Sequence, residues 1–90
     1  MVRIIKRSKA GKTLVVDVEV ENDRIARIVF SGDYFAYPEE MIEELEKALE
    51  NKTLGEALEV IDSYKNRIQL LGVTLEDMKN ALKEALEKIR

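Results

Sequence analysis

The stretch TLVVDVEVENDRIARIVFS, residues 13–31, decides the fold, because it holds two alternating runs joined by a polar turn. Leu14, Val16 and Val18 of the first run lie on one face of a strand. Asp17 and Glu19 lie on the opposite face. The second run alternates in the same way, so the stretch predicts an antiparallel hairpin with strands at about 13–20 and 24–31.

The register of this hairpin depends on the length of its loop. A two-residue loop, Asn22-Asp23, places Val18 opposite Arg27 and mixes the two faces. A three-residue loop that begins at Glu21 keeps the inner-face residues together, in these pairs: Leu14 with Phe30, Val16 with Ile28, and Val18 with Ala26. The outer face then carries three apolar residues among its charges: Val15, Ile25 and Val29. We therefore predict the three-residue loop.

One further strand and three helices complete the chain. Residues 2–7, VRIIKR, predict a first strand, and residues 8–12, SKAGK, predict a turn. From Pro38 the apolar spacing becomes that of amphipathic helices, which are predicted over three ranges: about 38–50, 54–65 and 74–89. Strands followed by helices indicate a single α+β domain over residues 1–90, with a three-stranded antiparallel sheet and three helices packed on one face.

Local signals mark the helix boundaries. Pro38 suits a first helical position, because the N–H that it lacks would be unpaired there. The sequence TLGE, residues 53–56, predicts a capping box, and TLED, residues 74–77, predicts a second N-terminal cap. Residues 66–72, NRIQLLG, fit either a helical tail or an extended link that ends at Gly72.

The composition excludes most catalytic chemistry. The 90 residues include no histidine and no cysteine, which removes thiolate nucleophiles, the usual general base and cysteine-held metal centres. Glu39, Glu43 and Glu46 lie one helical turn apart, but the usual hard-metal cages also use turns and backbone carbonyls. We therefore predict no catalytic residue and no metal site in this chain.

Charge is unevenly distributed along the chain. Charged residues make up 37% of the sequence, a balance common in proteins from hot environments, and the net charge of −3 argues against a general nucleic-acid binder. Residues 38–50 carry six glutamates against one lysine. No apolar run approaches the length of a membrane span, so we expect a cytoplasmic protein.

The N-terminal residues form a basic patch without any acid: Arg3, Lys6, Arg7, Lys9 and Lys12. A solvated face gives the same pattern. The alternative is a patch that meets an acidic partner surface or approaches nucleotide phosphates. The run KAGK, residues 9–12, lacks the rest of a phosphate-binding loop. We predict that Lys9 and Lys12 face a partner.

The stretch SGDYFAYPEE, residues 31–40, places three aromatic residues on the connection between the last strand and the first helix. Gly32 lets the chain turn off the sheet, and Phe35 fills the gap between sheet and helix, so both are predicted to be structural. Asp33, Tyr34 and Tyr37 are predicted to face a partner, because a tyrosine has a polar tip on an apolar body.

This step resembles a known family pattern. Residues 16–49 are similar to the C-terminal accessory domain of lipoate–protein ligases, in which a hairpin is followed by Gly-Asp-aromatic-aromatic and a Glu-rich helix. Here Gly32 to Phe35 carry the first motif, and the helix motif is carried by four residues: Ile42, Leu45, Glu46 and Leu49. Residues 70–82, LLGVTLEDMKNAL, also resemble the family's last helix. The Asn22-Asp23 turn departs from the Asp-Gly of many relatives.

The resemblance implies a function. Within the family this domain is fused to a catalytic domain or occurs as a separate small subunit, and a 90-residue chain looks like the separate form. The implied role is that of a non-catalytic accessory subunit needed for lipoate adenylation. Lipoate and ATP with Mg²⁺ would bind to the catalytic subunit, and the lipoyl acceptor domain would be an indirect partner. The implied fold is similar to that of iron–sulfur scaffold and sulfur-acceptor proteins.

Two other functions remain open from the residues alone. Apolar outer-strand residues would also suit a self-associating structural module. The basic N-terminal hairpin would suit a small nucleic-acid-binding domain, whose affinity would fall steeply with salt. A membrane partner is not expected.

Overall fold

The computed structural model describes residues 1–89 and has the predicted α+β architecture. Three strands form an antiparallel sheet in the order β1-β2-β3, and a separate two-stranded ribbon pairs β4 with β5. The elements follow one another along the chain: β1 Val2–Arg7, β2 Thr13–Glu21, β3 Arg24–Gly32, β4 Phe35–Tyr37, α1 Glu40–Leu49, α2 Leu54–Ser63, β5 Gln69–Leu71 and α3 Leu75–Ile89. Among residues 1–89, no helix combines the length and the apolar character that a membrane crossing requires.

The β2–β3 hairpin has a different register from the predicted one. Its loop has only two residues, Asn22 and Asp23, both with positive φ angles, of 53° and 62°. Val16 pairs with Phe30 and Val18 with Ile28, and the register shifts between Glu19 and Val20. The prediction of a three-residue loop was wrong because a β-bulge absorbs the extra residue and keeps the faces separate after a tight turn.

The bulge exchanges the surroundings of two neighbouring residues. Ile25 is 1% exposed and belongs to the core, whereas Ala26 is exposed. The predicted positions of these two residues were therefore reversed. Ile25 also pairs with the loop after α1, because its N–H donates to the Lys52 carbonyl and its carbonyl accepts from Asn51 N–H. These bonds satisfy backbone groups at the outer edge of β3.

The helix boundaries follow the predicted signals with one correction. α1 begins at Glu40 rather than at Pro38, because Pro38 and Glu39 belong to the turn before the helix. The Tyr37-Pro38 peptide bond is cis. α2 has the predicted capping box between Thr53 and Glu56. At the start of α3, Asp77 N–H donates to Thr74 Oγ1 at 3.0 Å, and Thr74 N–H donates to Asp77 Oδ2 at 2.9 Å.

The core lies between the inner face of the three-stranded sheet and the helices. Leu14, Val16 and Val18 are fully buried at the centre of β2, as their alternation predicts. The helices contribute Leu45 from α1 and Leu82 from α3, each with no exposed surface. Burial of apolar area at roughly 25 cal/mol per Å² provides the main stabilisation of this layer. In the part of the chain that the structure describes, no helix covers the opposite face of the sheet, where Ile5 is 67% exposed.

The β4–β5 ribbon was not predicted. Phe35 pairs with Leu71 and Tyr37 with Gln69, so the short aromatic connection is a strand. The open question about residues 66–72 is thereby answered: the segment contains an extended strand, Gln69–Leu71, rather than a helical tail. The ribbon holds two connections together and places their outward side chains side by side.

Candidate docking surface

Three of the four side chains on the outward face of the ribbon are apolar and exposed, and the fourth is Gln69. Phe35 is 58% exposed, Tyr37 is 56% exposed and Leu71 is 48% exposed. We call these three residues the aromatic ledge. Their common orientation follows from strand alternation, because Ala36 and Leu70 point to the other face and Ala36 is buried. Exposed apolar groups that cluster in this way are typical of a contact surface for another protein.

The exposure of Phe35 corrects a prediction. Phe35 does not fill the gap between sheet and helix, because its position in β4 alternates with that of the buried Ala36. Tyr34 packs against the core instead and is partly buried. Burial, with the neighbouring Glu46 carboxylate, raises the pKa of Tyr34 to about 12. Its hydroxyl therefore remains protonated at neutral pH.

Gly32 and Asp33 fix the turn that leads into the ribbon. Gly32 has a φ of 139°, and a Cβ atom built on it would lie 2.1 Å from the Thr13 carbonyl oxygen. A side chain at this position would therefore collide with the backbone of β2. Asp33 Oδ1 accepts a hydrogen bond from Thr13 N–H at 2.7 Å, which lowers the pKa of this carboxyl. The partner-facing roles of Asp33 and Tyr34 stay predictions.

A groove runs along β4 on the side that faces α1. Its apolar lining includes Val29, Tyr37 and Ile42. Four carboxylates also line it: Glu39, Glu40, Glu43 and Glu46. We call this feature the acidic groove. The groove is lined by residues of β4 but by none of β5, so it lies on the side of β4 away from its paired strand.

Glu46 is the most enclosed carboxylate of the groove. One of its oxygens accepts a hydrogen bond from Phe30 N–H at 2.7 Å, which satisfies a backbone donor at the edge of β3. Burial raises the pKa of Glu46, and the like charge of Glu43 adds to this effect, although the hydrogen bond opposes it. Within the described residues, no three acidic side chains converge closely enough to hold a metal ion.

The basic hairpin tip, residues 7–13, is tied down by internal bonds. Ser8 is 6% exposed, its hydroxyl donates to Asp77 Oδ2 at 2.6 Å, and it accepts from Ala10 N–H at 3.0 Å. Burial raises the pKa of Asp77, but the bonds from Ser8 and Thr74 outweigh it and the pKa lies below its ordinary value. No sequence motif indicated that Ser8 would be buried.

The tip also contacts both ends of the ribbon. Lys12 N–H donates to the Gly72 carbonyl at 3.0 Å, just after β5, and the stem of Lys12 lies against Gly72. Asp33, just before β4, lies near Lys12 and Arg7, whose charges help to lower its pKa. The structure therefore brings Lys12 and Asp33 together beside the ledge. Lys9 is exposed on the same tip.

The predicted basic patch is divided by ion pairs. Arg3 pairs with Asp17 at 2.7 Å, and Lys6 pairs with Glu84 at 2.6 Å. In the part of the chain that the structure describes, Arg7, Lys9 and Lys12 form no ion pair. The remaining cations belong to the tip rather than to a stripe along the strands.

The uncovered face of the three-stranded sheet carries a second apolar feature. Ile5 is 67% exposed and lies opposite Val15 in the β1–β2 pair. Val15 and Val29 are partly buried on the same face, and Val29 also lines the acidic groove. Sequence reasoning identified Val15 and Val29 but missed Ile5. The signal was the adjacent pair Ile4-Ile5, since only one of two neighbours in a strand faces the core.

Comparison with known proteins gives three consistent findings. The family described as bacterial lipoate protein ligase C-terminus matches residues 1–82. A curated protein, lipoate-protein ligase A subunit 2 of Thermoplasma acidophilum, is 35% identical over 80 residues, which cover 87% of this chain and 85% of that protein.

The likeness extends to a solved structure. It comes from work on an archaeal lipoylation system, a bi-partite lipoate protein ligase and its E2 lipoyl domain from Thermoplasma acidophilum. The TM-score is 0.74 at 29% sequence identity, and the match covers 90% of this chain and 97% of the solved chain. Sequence and fold therefore agree over nearly the whole length of both chains.

Proposed function

Because this chain belongs to the family of bacterial lipoate protein ligase C-termini, we propose that it is the non-catalytic small subunit of a two-component lipoate–protein ligase. The observation that carries the proposal is the match to a lipoate-protein ligase A subunit 2 over 85% of that protein. A relative that is named as a subunit indicates a domain that works beside a separate catalytic chain.

In the proposed complex the catalytic subunit performs the chemistry. It binds lipoate and ATP with Mg²⁺, forms lipoyl-adenylate, and passes the lipoyl group to a lysine of an acceptor domain. The small subunit forms no bond with the substrate. Its lack of histidine and cysteine supports this division of labour.

The small subunit acts by docking. Contact with the aromatic ledge orders the loops around the partner's nucleotide site and excludes water, so that binding energy assembles the geometry needed for adenylation. The exposure of Tyr37, at 56%, supports its role as an anchor, because buried aromatic side chains often dominate the energy of protein interfaces. Asp33, Tyr34, Lys9 and Lys12 lie on or beside the same surface and complete the proposed contact.

The test is an adenylation assay with the purified catalytic subunit from the same organism. Lipoate-dependent release of pyrophosphate from ATP is measured with and without this chain. The expected result is a rate that rises with the concentration of the small subunit and saturates. A heat-unfolded sample of the same chain serves as the control. Equal rates with and without the folded chain would end the proposal.

The tip charges provide a second, smaller test of docking. The double substitution Lys9→Glu with Lys12→Glu reverses two exposed charges beside the ledge. We expect association with the catalytic subunit to slow by about tenfold at low salt, because peripheral charges mainly steer encounter. The difference from wild type shrinks at high salt. Unchanged association at low salt would remove Lys9 and Lys12 from the contact surface.

A further inference from the structure

The two sides of α1 differ in how their carboxylates are balanced. On the side away from the groove, Glu44 forms an ion pair with Arg67, whose guanidinium also lies 4.5 Å from the centre of the Tyr64 ring. On the groove side, four carboxylates of the α1 region have no ion pair with any residue in the range 1–89: Glu39, Glu40, Glu43 and Glu46. The helix therefore leaves one face with uncompensated negative charge.

The same groove has exposed apolar walls. Phe35 and Tyr37 form one side of it, and Val29 and Ile42 contribute further apolar surface. Unpaired carboxylates beside exposed aromatic rings complement a partner that carries both cations and an apolar group. A metal ion does not fit, because the carboxylates do not converge. Nucleic acid and anionic lipid would be repelled.

We propose that the acidic groove receives a segment of the catalytic subunit that carries lysine or arginine residues together with an apolar anchor. This inference rests on the proposed function, since it names the surface through which the small subunit docks. The anchor packs against Phe35 and Tyr37, and the cations pair with Glu40 and Glu43. Enclosure within an interface strengthens such pairs relative to pairs at an open surface.

Charge also sets the orientation of the complex. The acidic groove lies along β4, and two cations of the hairpin tip, Arg7 and Lys12, lie near Asp33, just before that strand. A partner with the opposite arrangement of charges fits in only one direction, because the reversed pose places like charges together. A second copy of this chain also offers a cationic tip, so self-association is an outcome that the test has to separate.

The experiment measures the affinity of the catalytic subunit for three variants by isothermal titration calorimetry at low and high salt. The first variant, Glu40→Lys with Glu43→Lys, reverses charge in the groove. Its matched control, Glu59→Lys with Glu87→Lys, makes the same change in net charge at exposed positions of α2 and α3. The third variant, Phe35→Ser, removes an anchor contact without changing charge. Circular dichroism melting verifies that each variant is folded.

The proposal predicts a loss of affinity of at least about tenfold for the groove variant at low salt. It predicts a loss of about thirtyfold for Phe35→Ser and less than about threefold for the control. If the wild type binds and neither the Glu40→Lys, Glu43→Lys variant nor Phe35→Ser changes the affinity, the inference is overturned and the proposed function stays intact. Failure of wild type to bind at all would instead overturn the proposed function.

Light scattering on the isolated chain tests whether the chain associates with a second copy of itself. A monomeric wild-type chain supports a groove that awaits the catalytic subunit. A dimer that the groove variant dissociates would overturn the proposal in favour of a second copy as the occupant.

Discussion

The hairpin tip and the aromatic ledge are neighbours, yet they differ in how completely the chain satisfies its own groups. At the tip, Ser8 bonds to Asp77, and Lys12 bonds to Gly72. At the ledge, Phe35 and Tyr37 are more than half exposed, because no other segment of residues 1–89 covers them. Polar residues in a turn therefore often serve the fold, whereas an exposed apolar cluster on a paired ribbon indicates a partner.

The largest expected effect concerns Gly32, which lies where the hairpin tip meets the ribbon. Gly32→Ala places a Cβ atom against the Thr13 carbonyl oxygen and also requires a positive φ, so we expect the free energy of unfolding to fall by about 3 kcal/mol. Chemical denaturation measures this change. The matched control is Gly11→Ala, where φ is 110° but no atom lies within 4 Å of the added Cβ. Its cost is about 1 kcal/mol. Equal costs at both glycines would contradict the close approach at Gly32.

The second prediction concerns the buried hydroxyl of the tip. Ser8→Ala removes the donor to Asp77 and leaves Ala10 N–H without its acceptor, so we expect a loss of about 2 kcal/mol at neutral pH. The folded pKa of Asp77 is lowered, so the stability from this network is present above its ordinary value of 3.8 and is lost as pH falls through the folded pKa.

The effect of Ser8→Ala should therefore shrink when denaturation is repeated at about pH 3. Ser63→Ala is the control, because the Ser63 hydroxyl is exposed and bonds only within its own helix, to the Val60 carbonyl. A pH-independent loss for Ser8→Ala would show that Asp77 is not its functional partner.

The third prediction concerns Glu46, which belongs to both the fold and the groove. Its folded pKa is raised above the ordinary value of 4.5, so its contribution to stability is present at low pH and is lost as pH rises through the folded pKa. Glu46→Gln keeps an acceptor for Phe30 N–H without the charge, so we expect a small gain in stability at neutral pH that disappears in acid.

Glu46→Ala removes that acceptor. We expect it to lower the free energy of unfolding by about 1 kcal/mol in acid, because a backbone donor loses its partner. The loss is smaller at neutral pH, because the substitution also removes a partly buried charge there. Thermal unfolding followed by circular dichroism measures both variants. If Gln and Ala destabilise equally, the hydrogen bond to Phe30 contributes nothing.

The smallest expected effect on stability belongs to the ledge. Phe35→Ser and Tyr37→Ser remove exposed side chains, so each should change the free energy of unfolding by less than about 0.5 kcal/mol. Ala36→Ser, in the same strand but buried at 8% exposure, is the contrasting variant and should cost more. A large loss of stability for Tyr37→Ser would mean that the ledge supports the fold and is not held ready for a partner.

Much of the fold follows from local sequence. Alternation in residues 13–20 places Leu14 and Val16 in the core, and the Thr53 and Thr74 caps are visible from short motifs. The bulge is not visible, because a two-residue loop without a bulge mixes the two faces, so alternation alone favours the longer loop. The ribbon is also hidden, since it pairs three-residue segments that lie far apart in the chain.

The site was predictable only in part for the same reason. The stretch around Tyr37 was recognised as unusual from its aromatic content. The outward orientation of Phe35 required the knowledge that residues 35–37 form a strand, and Leu71 joined the ledge only through its pairing with Phe35. The unpaired carboxylates of the groove could not be identified from the sequence, because only the structure shows that Arg67 forms an ion pair with Glu44 and not with the neighbouring glutamates.

Docking through the ledge can be measured by hydroxyl-radical footprinting of aromatic side chains, read by mass spectrometry. The experiment compares this chain alone with this chain bound to the catalytic subunit. Tyr64, which is 3% exposed, is the internal control and should react little in both samples. Phe35 and Tyr37 should be oxidised readily in the isolated chain and strongly protected in the complex. Equal oxidation of Phe35 and Tyr37 in the two samples would contradict docking through the ledge.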